Sequence, residues 1–123
     1  MNAAEIDREA LGRLLRILGD DVAELEDLRN DYMEDAPALA RRISEAVSQG
    51  DWSALKIAAH TLKSNARDFG ASRLADLCNT LEHACDEGRP EDPQGIAECI
   101  RREEEAAREA LSKICLDRLQ SGA

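Results

Sequence analysis

The sequence predicts an all-α protein: an antiparallel four-helix bundle with a short additional N-terminal helix. Three observations lead there. The composition is rich in Ala, Leu, Glu and Arg, with only one each of Trp, Tyr and Phe and few Gly or Pro, a balance that suits helices. Apolar residues recur with a helical period in successive segments. The connections between those segments are short, so each would run back along its predecessor.

The first segment runs from about Asp7 to Leu18, with Leu11, Leu14, Leu15 and Leu18 on one face and Gly19 as a stop. It is short enough to lie across the end of a bundle. The second runs from about Asp20 to Ser48 on Val22, Leu25, Leu28, Tyr32, Ala36, Leu39, Ile43 and Val47. Pro37 lies inside it, where it removes a backbone donor and crowds the preceding turn. Leu25 and Ile43 are 18 residues apart, five whole turns, so they share a face. That phase favours one long helix bent near Met33 to Pro37 over two helices meeting at Asp35. Gly50 ends it, and Asp51 is a good N-cap for the third, which Gly70 closes. The fourth runs from Ser72 to Glu87 on Leu74, Leu77, Cys78, Leu81 and Cys85. A turn over residues 88–92 leads to the fifth, with Asp92 as cap and Pro93 at its first position. Its stripe is Ile96, Cys99, Ile100, Ala107, Ala110, Leu111 and Ile114. One domain is expected over residues 1–123, with its core over about 7–117 and a frayed tail over 118–123.

Apolar residues at 43 % are enough for one core. A net charge of −10 argues against nucleic acid or an anionic membrane as partner. No apolar run approaches a membrane span, and the acidic, amphipathic N-terminus does not read as a signal peptide. Cys78, Cys85, Cys99 and Cys115 have no C-x-x-C spacing. They are expected to be small buried hydrophobes in a reducing cytoplasm. The starting methionine favours a free-standing protein over a piece of a hybrid kinase.

The third segment carries the chemistry. Leu55, Ala58, Ala59, Leu62, Ala66 and Phe69 form its core stripe, and His60 points about 140° from the stripe's centre. Ser53, Lys56, Ile57, Lys63, Ser64 and Arg67 are its neighbours at helical spacing. Residues 51–70 carry a net +1, so the rest of the chain carries −11. Imidazole is nucleophilic and titrates near physiological pH. A basic spot with small neighbours suits an approaching electron-rich phosphoryl group. Lys63 would hold the phosphate first, with Ser64 donating a hydrogen bond and Lys56 and Arg67 in support. The bland alternative is a solvated helix face with an incidental histidine.

The run Ala59-His60-Thr61-Leu62-Lys63-Ser64 through Phe69-Gly70-Ala71, then Leu74, Leu77, Leu81 and Glu82, resembles the histidine-containing phosphotransfer (HPt) domain. The stretch from Tyr32 to Pro37, with Leu39, Ile43 and the Gly50-Asp51 turn, fits too. The resemblance covers about residues 7–117. It implies a four-helix bundle in which His60 exchanges a phosphoryl group, through Nε2, with an aspartate on a receiver domain of a response regulator or hybrid kinase. Lys63 would be the charge partner and Gly70 the helix stop. Ser64 stands where the family often has glycine, which narrows access slightly. The implied docking surface is an apolar patch beside the histidine, with Ile57 as the best candidate, Ser53 and Gly70 alongside, and contributions from the first helix and the Tyr32-Met33 turn. Ile57 packed under the first helix is the equal alternative.

Other chemistries fit less well. His83 should be an exposed residue flanked by Glu82 and Asp86, an acidic setting unlike that of His60. Neither histidine has glutamate three residues before it, so a bundle metal site is not expected. There is no room for an ATP-binding domain, and no Ser-His-Asp or Cys-His arrangement can be placed. The expectation is a monomeric cytoplasmic phosphoryl carrier, not an enzyme, binding no cofactor. Magnesium would sit on the partner receiver. The rival is a helical adaptor whose histidine is never phosphorylated.

Overall fold

A computed structural model describes residues 5–121. The described residues form six helices: α1 (Arg8–Ile17), α2 (Val22–Gln49), α3 (Trp52–Asp68), α4 (Ser72–Asp86), α5 (Pro93–Ser112) and α6 (Arg118–Ser121). Helix α2 packs on α3, α3 on α4, α4 on α5, and α5 back on α2. The four long helices thus form the predicted antiparallel bundle.

Aspartates set the starts. Asp7, Asp21, Asp51 and Asp92 each accept a hydrogen bond from a first-turn amide of the helix that follows, at 3.0 to 3.1 Å. Each satisfies an orphan donor and favours the positive helix end. Helix α2 is continuous through Pro37. Its apolar row supplies the reason: Leu25, Ala36 and Ile43 are all fully buried, so burial on both sides of the proline holds one phase.

Helix α1 is anchored across the end of α3. The Asp7 amide donates to the Gly70 carbonyl at 2.8 Å, while Leu11 and Leu15 enter the core. At the opposite end of the chain, residues 118–121 were expected to fray. They instead form α6, which packs on α1, with Leu119 against the core. Residues 122–123 of the expected tail lie outside the described residues.

The cysteine expectation needs correction. Cys78 is buried and Cys85 is partly covered, but Cys99 and Cys115 are exposed. The buried row of α5 is Ala97, Ile100, Glu104, Ala107 and Leu111, which leaves Cys99 beside the row. Cys115 lies beyond the helix end. Burial pushes the Cys78 thiol up to about 12.

Two polar features of the core are invisible to an apolar stripe. Glu104 is buried, and Arg108 Nε donates to its Oε2 at 2.8 Å. Arg29 of α2 donates to the Ile114 and Leu111 carbonyls at 2.8 and 3.3 Å, which ties the end of α5 to α2.

Candidate functional site

The site is built at the α3–α4 seam. These helices are joined by a tight turn at residues 69–71, so positions equidistant from Ala71 lie opposite one another. His60 and Glu82 stand eleven residues either side of it, and Lys56 and Asp86 fifteen. Both pairs meet. His60 Nδ1 lies 2.8 Å from Glu82 Oε2, and Lys56 Nζ is ion-paired with Asp86. Lys63 reaches one turn further and donates from Nζ to Glu82 Oε1 at 2.6 Å.

Glu82 therefore holds two partners at once. Its side chain is 13 % exposed, that of Lys63 14 %, and that of His60 59 %. The Lys63 hydrogen bond, helped by that of His60, holds the Glu82 carboxyl below the usual carboxylate range. An ionised carboxylate can only accept, so Nδ1 must carry the proton. In neutral imidazole that leaves the lone pair on Nε2. Nε2 has no hydrogen-bond partner among the described residues.

These contacts correct the expected setting of His60. The ring of cations is real in sequence, but two of its three members are paired with carboxylates from α4. Lys63 faces Glu82 and Lys56 faces Asp86. Those are the two acids that the sequence had seemed to assign to the surroundings of His83. Arg67 is exposed and has no ion-pair partner among the described residues. Ser53 and Ser64 are exposed beside the histidine, and His83 is exposed on α4.

Ile57 is 69 % exposed, so it does not pack beneath α1. It forms an apolar point beside His60. Gly70 belongs elsewhere, contrary to its expected place in a partner surface. It is buried under the start of α1, at a φ of 77°. A Cβ there would run into the backbone of Asp7. Its role is to let α1 approach and to turn the chain.

Among the described residues, no group of three or more His, Cys, Asp or Glu is gathered to hold a metal ion. None of the described helices is long and apolar enough to cross a membrane.

Glu82 is the site residue that helical reading of α3 alone misses. Its signal was available in the antiparallel pairing about Ala71, because it comes from the facing helix.

The fold has known relatives. The Hpt domain family matches residues 27–121. Among solved structures, histidine-containing phosphotransfer protein B (HptB) from Pseudomonas aeruginosa PAO1 is similar over 98 % of both chains, with 25 % identity and a TM-score of 0.79. No curated protein matches the chain significantly.

Proposed function

This chain belongs to the Hpt domain family, the phosphocarrier modules of two-component signalling, and on that premise we propose that His60 carries the phosphoryl group. The observation that supports this most is the hydrogen bond between His60 Nδ1 and Glu82. It fixes the ring tautomer and leaves the Nε2 lone pair free to attack.

In the proposed step, Nε2 attacks the phosphorus of an aspartyl phosphate on a receiver domain. The N–P bond forms as the P–O bond breaks, and the aspartate leaves as a carboxylate. The ring gains positive charge as its lone pair is used, and Glu82 lies against Nδ1–H to stabilise that charge. Return of the phosphoryl group to another receiver reverses each change. Lys63 holds Glu82 in place, a positioning role ahead of direct contact with phosphate. Arg67 and Ser64 remain available to the incoming group. Magnesium for the transfer would be held by the receiver's acidic pocket. The carrier would act as a cytoplasmic monomer, with Ile57 and Ser53 in the docking surface.

The test is incubation with several phosphorylated receiver domains, comparing the wild type with His60→Gln. Label that is acid-labile, alkali-stable and absent from the variant is the expected result. No label from any receiver, with the fold intact by circular dichroism, would leave the adaptor reading in its place.

A further inference from the structure

A groove of about 240 Å³ lies where α1, α2 and α3 meet. Its lining combines two chemistries. Leu14, Leu28 and Phe69 supply apolar surface, and Asp31, Asp35 and Asp68 supply three exposed carboxylates. No lining residue is cationic, and none of the three aspartates has an ion-pair partner among the described residues. By contrast, the acids of the α3–α4 seam and of α5, such as Glu82, Asp86, Glu98, Glu104 and Glu109, are ion-paired.

An apolar wall under an acidic rim is complementary to one kind of side chain. Lysine and arginine carry an alkyl stem that gains from apolar contact and a cationic head that needs anions. A purely apolar residue would bring its surface up against three carboxylates. An acidic one would be repelled. The volume suits a single long side chain rather than a helix, whose diameter is roughly 10 Å.

The groove also lies on one flank of the His60 face. Counting 100° per residue round α3, Ile57 falls about 60° and Asp68 about 80° from His60 in the same sense. Lys63 and Lys56 fall on the other side, towards α4. Asp68 is about 12 Å along the helix from His60, well inside the footprint of an ordinary protein interface.

We propose that this groove is a docking slot for a lysine or arginine side chain of the receiver domain, its stem against Leu14, Leu28 and Phe69 and its head among Asp31, Asp35 and Asp68. This rests on the phosphotransfer reading and adds a determinant of which receivers are accepted. Receivers bearing a cation at that position of their docking surface are selected. Those bearing an acid there are excluded.

The test uses the full chain and a phosphorylated receiver that transfers to it. Initial rates are measured against receiver concentration for the wild type, for Asp31→Asn/Asp35→Asn/Asp68→Asn, and for a control triple, Glu45→Gln/Glu91→Gln/Glu105→Gln, with the same change in net charge. The slot predicts a rise in KM of about tenfold for the first triple, little change in kcat, and a loss of most of the salt dependence of KM. The control triple should behave as the wild type does. An unchanged KM in the aspartate triple, or equal rises in both triples, overturns the slot. Phosphoramidate, a small donor that needs no docking, should label His60 equally in all three proteins. If it labels the wild type on His60 while KM is unmoved, the slot alone fails. If neither donor labels His60 in the wild type, the phosphotransfer reading fails and takes the slot with it.

Discussion

Replacing Glu82 by alanine should slow phosphoryl transfer while leaving the bundle folded. The hydrogen bond to His60 Nδ1 is 2.8 Å long and ends on an ionised carboxylate. A hydrogen bond to a charged group contributes roughly 1.5–3 kcal/mol. The imidazole is more than half exposed, so the lower end applies. The contribution also grows during the reaction, because a ring that gains positive charge is held more strongly by the carboxylate. About 1.4 kcal/mol of lost transition-state stabilisation is a tenfold slower transfer, and that is the expected size. Glu82→Gln can still accept one hydrogen bond but cannot neutralise charge, so it should fall between the alanine variant and the wild type. The assay is quenched-flow transfer from a labelled receiver, paired with nitrogen NMR of the His60 ring. In the wild type the proton should reside on Nδ1, and in Glu82→Ala the ring should populate both tautomers. A variant with wild-type transfer rates would refute the role of Glu82. So would an unchanged tautomer signature.

Three further outcomes are expected. Gly70→Ala should destabilise the fold by about 2 kcal/mol, from the cost of a left-handed alanine and the displacement of Asp7; urea unfolding measures it, and an effect below about 0.5 kcal/mol would contradict the contact. Because Glu82 titrates below its ordinary value when folded, the stability it contributes is present above the ordinary carboxylate pKa and is lost as pH falls through the folded value. The stability gap between wild type and Glu82→Gln should therefore shrink on going from neutral pH to about pH 3, and a gap independent of pH would argue against it. Alkylation followed by mass spectrometry should modify exposed Cys99 and Cys115 first, Cys85 more slowly because burial raises its thiol pKa, and Cys78 only on unfolding; early labelling of Cys78 would show that the core opens locally.

Most of the fold was legible because it rests on period and punctuation. The row from Leu25 to Ile43 kept one phase across Pro37, and that phase outweighed the local preference of proline. Asp51 and Asp92 announced helix starts by a capping chemistry that acts within four residues. What could not be read was whatever depends on two segments at once. Cys99 fell on the α5 stripe by spacing, yet the helix buries a row shifted towards Glu104, because Arg108 provides the buried acid with a partner. Gly70 read correctly as a helix stop, but its burial under Asp7 depends on where α1 lands. Ile57 was undecided for the same reason, and the placement of α1 across the bundle end leaves it exposed.

The same distinction explains the site. One helix predicted an exposed histidine among cations, which suggested a place that attracts and keeps phosphate. The facing helix changes that balance. Lys63 is committed to Glu82 and Lys56 to Asp86, so positive charge beside His60 is largely neutralised before any phosphoryl group arrives. A phosphoryl group on Nε2 would add negative charge next to a carboxylate already shared by two donors. It would gain little from Lys63 unless that lysine left Glu82, at the cost of leaving a nearly buried acid with the imidazole as its one remaining partner. On the proposed reading, such a site favours passage over storage. The carboxylate stabilises the ring while charge develops on it, and with two of the three nearby cations already paired, Arg67 alone does not turn the phosphorylated state into a trap. A carrier that must both accept and donate needs the two directions of transfer to remain close in free energy, and the paired lysines serve that end better than free ones would.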